Sequence, residues 1–242
     1  MASAISPAAR APLQPVLRPL VLSDAAVEIL KWIAVALMVG DHVNKYLLHG
    51  AAPGLFQAGR LAMPLFAIVL GYNLARPNEG VYARVAVRLA IAGTLASVPF
   101  IALGGLGWGW WPLNIMVALL VATLICWLLD VGGALRISAA AALFLVGGSS
   151  VEFWWGGIAL CVASWSYARQ PSWLALTAAS GAVFALRLIN GNDWALAAFV
   201  VVLAATRASD WRRVPRVGFF FYAFYPTHLA LVLACQRALH IQ

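Results

Sequence analysis

Asp41, His42, Asn44 and Lys45 fall within five consecutive positions of an otherwise apolar run, residues 25–48, a concentration of polar groups that helix packing alone does not require. An imidazole changes charge near neutral pH, so it can lift a proton from an attacking group and return it to a leaving one. On a helix Met38, His42, Lys45 and His49 follow 4-3-4 spacing and share one face. Asp41 points about 100° away from that face and can pair with Lys45 at i+4. Adjacent helical residues do not face each other, so Asp41 cannot orient His42; a side chain from another helix must do so.

Three further clusters could join this one. Arg60, in Gln57-Ala58-Gly59-Arg60-Leu61-Ala62-Met63-Pro64-Leu65-Phe66, enters an apolar segment just before a proline that frees a backbone carbonyl. Its planar fork suits a carboxylate such as Asp41 or a substrate anion. Tyr225 and His228 are i, i+3 neighbours in an aromatic helix with Pro226 at its centre, a spacing that turns a hydroxyl and an imidazole toward one cavity. Arg84 and Arg88 stack at i, i+4, and Arg212, Arg213 and Arg216 precede the last apolar segment. These five arginines are either topology signals or a seat for a polyphosphate ligand. Asn114, Glu152, Arg187 and Asp193 are weaker candidates, near helix ends where water is expected to reach them.

The elements that must position these groups are membrane helices. Of 242 residues 64% are hydrophobic and 10% charged, with a mean hydropathy of +0.89, against roughly half and a quarter in an ordinary soluble domain. A soluble enzyme, a disordered chain and a disulfide scaffold are excluded. At roughly 20 residues per crossing the length allows about eight to ten spans in one domain. We read residues 1–20 as a flexible cytoplasmic tail and 21–242 as a single all-α, polytopic bundle. The net charge of +8 is scattered along the chain and gives no nucleic-acid footprint. Cys126, Cys161 and Cys235 have neither metal nor disulfide spacing and read as small buried residues, so no metal is expected.

Ser23-Asp24 is a helix start and Pro53-Gly54 and Arg76-Pro77-Asn78-Glu79-Gly80 are breaks. Nine spans are predicted: 25–48, 55–74, 81–103, 112–129, 134–148, 153–167, 172–188, 194–206 and 218–239. With the N-terminus inside, eleven of the sixteen Lys and Arg fall on cytoplasmic segments and only Lys45, Arg60, Arg187 and Arg237 on outer ones. That bias sets an inside N-terminus and an outside C-terminus. The loops 104–111 and 149–155 lack Lys and Arg but carry Trp108, Trp110, Trp111, Trp154 and Trp155, as outer interfacial belts do.

In sequence order, Lys31-Trp32-Ile33-Ala34 through Met38-Val39-Gly40-Asp41-His42, Gly59-Arg60-Leu61-Ala62-Met63-Pro64-Leu65-Phe66, Arg84 to Arg88-Leu89, Asn114-Ile115, and Phe221-Tyr222-Ala223-Phe224-Tyr225-Pro226-Thr227-His228-Leu229 resemble the successive motifs of the TraX family. Met63 stands where that family usually has Phe. Leu70 precedes Gly71 where many members are expected to carry an acid, which leaves the chemistry to Asp41 and His42. The first-helix His and late Tyr-x-x-His are also distantly similar to the acyltransferase-3 class of membrane acyltransferases.

The resemblance implies an integral protein of the bacterial inner membrane that acetylates a pilin N-terminus during conjugation. It implies acetyl-CoA as donor, its phosphates on Arg84, Arg88, Arg212, Arg213 and Arg216. His42 would be the general base, with Asp41 or Arg60 setting the local charge. His228 and Tyr225 would polarise the thioester carbonyl or protonate the thiolate, and Arg60, Lys45 and Asn44 would line the acceptor side. The acceptor is a pilin-like peptide, another amine or a hydroxyl compound. Two other readings stay open at this point: a small proton-coupled transporter using Asp41, His42 and His228, and a noncatalytic membrane subunit.

Overall fold

In the computed structural model, which describes residues 17–104, 106–207 and 217–239, the Ser23 hydroxyl accepts a hydrogen bond from the N–H of Ala26 and starts α1 (Asp24–Tyr46). The next expected span is two helices, α2 (Pro53–Gly59) and α3 (Ala62–Ala75), with Arg60 and Leu61 between them. Pro64 is the reason. It has no N–H to donate to the carbonyl four residues earlier, that of Arg60, and its ring crowds that carbonyl, which favours a break there. After a turn in which Gly80 takes φ +64° comes α4 (Val81–Leu103).

Asn114 starts α5 (Ile115–Val131) by accepting from the N–H of Met116. Its amide also donates to the Gly93 carbonyl at 2.9 Å and the Ser97 hydroxyl at 3.0 Å, both on α4. Asn114 is fully buried, which corrects the expectation that water reaches it. Then follow α6 (Ala134–Ser150), α7 (Trp154–Arg169), α8 (Trp173–Ala185), α9 (Arg187–Asn190), a 3-10 turn at Trp194–Leu196, α10 (Ala197–Thr206) and α11 (Gly218–Ala238). The described residues form no strand. One isolated bridge, Leu113 with Val151, ties together the two tryptophan-bearing loops: Leu113 N–H donates to Ser150 O and Glu152 N–H to Leu113 O, at 2.9 and 2.8 Å.

Helix α3 is the centre of the bundle, with Leu65, Ala67, Ile68 and Val69 buried. It packs on α7, where a side chain at Gly71 would come within 2.4 Å of the Cys161 carbonyl, so only glycine permits the approach. On either side lie α8 against α7, α4 between α5 and α11, and α1 against α2 and α3. Outward faces carry large apolar side chains such as Val98, Leu135, Leu174 and Leu188, a surface suited to lipid and not to water.

Helical segments occupy all nine expected regions, and four have the length and apolarity of a membrane span: Pro53–Ala75, Val81–Leu103, Trp173–Asn190 and Gly218–Ala238. Helix α1 is as long as α4 but carries Asp24, Glu28, Lys31, Asp41 and Lys45. Its polarity is what the site uses. Residues 1–16 of the expected tail lie outside the described residues, as do Arg212, Arg213 and Arg216. The tail's last residues are held, since Tyr167 donates its hydroxyl hydrogen to the Arg18 carbonyl at 2.8 Å.

Candidate active site

The side chain that orients His42 is His228. His42 Nδ1 lies 2.8 Å from His228 Nε2, and the ring planes are within 8° of parallel. One nitrogen must donate and the other accept, so at most one proton occupies that line. With Nδ1 engaged, Nε2 is the nitrogen of His42 left for chemistry. Behind the pair, Phe224 stacks on His228 at 5.5 Å between ring centres.

Asp41 does not pair with Lys45, as i+4 spacing suggests; its partner is Arg60, at 2.5 Å. The helix break at Arg60 brings the guanidinium back to α1, and Gly59 makes the approach feasible, because a Cβ there would lie 2.5 Å from Asp41 Cβ. Arg60 also donates to the Phe56 carbonyl at 3.2 Å and to the Asn190 side chain at 3.4 Å, tying α1, α2 and α9 into one corner. Among the described residues Lys45 forms no ion pair; its ammonium sits 4.8 Å from the Tyr46 ring centre. Asn44 is buried and accepts from the N–H of Ala52 at 2.8 Å, so its side chain fixes the turn between α1 and α2.

Two cavities lie one after the other along α1. The larger, about 490 Å³, is lined by Met38, His42 and Lys45 on the α1 face that the spacing predicts, by Asp41 beside them and by His49 in the turn after α1, and across from them by Arg60, Glu152 and Tyr225. The smaller, about 230 Å³, is bordered by Lys31, Val35 and Met38 of α1, with Asn73, Arg88, Tyr222 and Tyr225 as its other polar residues. Met38, Phe66, Ile115 and Tyr225 belong to both walls. These four side chains separate a polar chamber from a mostly apolar one, and Tyr225, only 2% exposed, looks into each.

Three expectations change in detail. His228 lines neither cavity: a step of i+3 turns it about 60° from Tyr225, enough to point it at His42 on α1 and away from the opening. Arg84 and Arg88 do not work as a pair. Arg84 donates to Glu79 O at 2.5 Å and Asn78 Oδ1 at 2.6 Å, closing the turn before α4, and only Arg88 borders the smaller cavity. Glu152 is not a solvated helix end but part of the larger cavity wall. Burial pushes its carboxyl up to about 7, while Lys45 and the backbone N–H of Ile115 pull the other way.

Sequence reasoning passed over Lys31 and Asn190. Lys31, on the wall of the smaller cavity, is held by Glu28 at 2.5 Å, and the i, i+3 spacing of the two was the available signal. Asn190 carried no signal, since its contact with Arg60 spans 130 positions.

The fold and site define an α-helical membrane protein whose helices enclose paired cavities around a histidine dyad. The TraX protein family matches residues 26–236, and the chain belongs to that family. It is 31% identical to Protein TraX of Escherichia coli over 223 residues, and 30% identical over 223 residues to Protein TraX of Escherichia coli (strain K12); each match covers 88% of both chains. No solved structure matches it.

Proposed function

We propose that this chain is an inner-membrane acetyltransferase, moving an acetyl group from acetyl-CoA on the cytoplasmic side to an amine or hydroxyl acceptor on the periplasmic side. The observation that supports it is the pair of cavities meeting at Tyr225 beside His42. Donor and acceptor then arrive from opposite compartments, with the N-terminus inside as the arginine distribution favours. The smaller chamber suits the narrow thioester arm of the donor, with Arg88 at its wall, and Arg212, Arg213 and Arg216 nearby in sequence, to neutralise phosphates, while Lys31 is already paired with Glu28. The larger chamber suits the acceptor, which on the family likeness is a pilin-type N-terminus.

His42 Nε2 takes a proton from the attacking group while His228 fixes the imidazole's orientation. The Tyr225 hydroxyl donates to the thioester oxygen as negative charge grows there. The proton on His42 then goes to the departing thiolate. The four-residue partition keeps bulk water from the thioester until the acceptor is in place.

The test is release of CoA thiol from acetyl-CoA by protein purified in detergent, comparing the native chain, His42→Ala and the outward-facing control Leu135→Ala. Release that vanishes with His42→Ala while acetyl-CoA binding survives is the expected result. A folded native protein that neither binds nor consumes acetyl-CoA overturns the proposal, and proton flux in liposomes without a donor becomes the measurement to make.

A further inference from the structure

An amine acceptor raises a proton problem that one histidine does not solve. An α-amino group has a pKa of about 8, so at neutral pH it arrives mostly as an ammonium. It must lose one proton to expose its lone pair and a second as the amide forms. The thiolate takes back only one of these. A hydroxyl acceptor loses a single proton, so it needs a single base.

The larger cavity holds two carboxylates. Asp41 is neutralised by Arg60 at 2.5 Å. Glu152 forms no ion pair among the described residues, and its position is rigidly built. Its own N–H donates to Leu113 O, Asn114 locks the adjoining start of α5 onto α4, and the Ile115 N–H bears on the carboxylate. The groups facing it are Asp41, His42, Lys45 and Tyr46 from α1, Arg60 from the α2–α3 break and Tyr225 from α11. A carboxyl that titrates near neutrality can both accept a proton from an ammonium and release it again.

Resting on the acetyltransferase reading, we propose that Glu152 is the proton acceptor that discharges the incoming ammonium, while His42 carries the second proton. In the first step R–NH3+ and the Glu152 carboxylate become R–NH2 and the carboxylic acid. In the second the nitrogen lone pair forms the C–N bond and the C–S bond breaks. His42 moves the remaining proton from nitrogen to sulfur, so the products are the acetamide and CoA thiol. Glu152 then returns its proton to water through the cavity mouth at His49 and Gly50, both exposed.

The full chain is assayed with acetyl-CoA and two acceptors, a short peptide with a free N-terminus and methoxyamine, which is uncharged at neutral pH. Glu152→Gln is expected to slow peptide acetylation at pH 7 by tenfold to hundredfold, with methoxyamine acetylation kept within about twofold. The peptide rate is expected to recover as pH rises above the amine's own pKa, and Glu152→Asp to restore part of it at pH 7. Equal loss with both acceptors, or full peptide activity in Glu152→Gln, overturns the role of Glu152; if the Gln variant does not fold, the same comparison is made on Glu152→Ala. Absence of His42-dependent CoA release from the native chain with either acceptor overturns the acetyltransferase reading itself.

Discussion

His42 on α1 and His228 on α11 stand 186 positions apart in sequence and meet through ring nitrogens 2.8 Å apart. A histidine held at one nitrogen is fixed in tautomer and direction, as metal-bound histidines are by their outer partners, and loss of such a partner typically costs tenfold to a hundredfold. His228→Ala is therefore expected to lower kcat for CoA release by about that factor with little change in KM. His228→Gln, whose amide can reach the place of Nε2, should restore part of the rate. An effect on protein yield or melting temperature alone, with kcat intact, would assign the pair to packing.

Arg60 and Asp41 form a largely buried ion pair, and removing one member leaves the other charged and poorly solvated. Arg60→Ala is expected to destabilise the protein by about 2 to 4 kcal/mol, and Asp41→Asn combined with it by less than the two single changes summed. Thermal unfolding in detergent, run as a double-mutant cycle, reads the coupling.

Gly59→Ala inserts a methyl group 2.5 Å from Asp41 Cβ, so α2 must move away from α1 and carry Arg60 with it. A loss of about 1 to 3 kcal/mol is expected, together with reduced activity. Gly54, on the same helix, has nothing within 4 Å of the place a methyl group would take, and should accept Ala without either effect.

Glu152 gives a pH dependence of fixed sign. Its carboxyl is raised from 4.5 to about 7 in the folded protein, so the fold binds its proton more tightly than the unfolded chain does. That contribution is complete below pH 4.5 and is lost as pH rises through about 7. Its size is at most about 3 kcal/mol. Melting temperature of the native protein should fall across this window, and in Glu152→Gln the fall should flatten.

Arg88 borders the smaller cavity and Arg84 closes a turn, so the two should separate in a binding experiment. Arg88→Ala is expected to weaken acetyl-CoA binding by about tenfold, the worth of one charge-assisted contact, and Arg84→Ala to leave it nearly unchanged. Equal effects would mean that the cluster acts only through its summed field.

The local sequence carried much of this. Ser23 starts a helix where a short polar side chain before an apolar run should start one, whereas Asn114 starts α5 two residues inside the span expected from 112. Met38, His42 and Lys45 reach one cavity by their 4-3 spacing on a regular helix, and His49 reaches it from the turn that follows. Pro64 predicted a freed carbonyl at Arg60, though not that the helix would part there into two. The position of Glu152 was misread because solvent access at a helix end depends on what covers it, and the cover here is the Leu113–Val151 bridge and the wall formed by Tyr225.

What the sequence by itself determined is therefore what depends on near neighbours along the chain: an apolar helical protein, its breaks at Pro53-Gly54 and at residues 76–80, the polar face of α1 and the motifs of its family. What only the tertiary structure decided is which distant groups meet. Asp41 had Lys45 within reach at i+4 but took Arg60, and His42 found its partner on the last helix. The reason is physical. Helix periodicity fixes the direction of a side chain relative to its own axis, whereas the choice between partners turns on how whole helices pack, and at Gly59 that comes down to the absence of one methyl group.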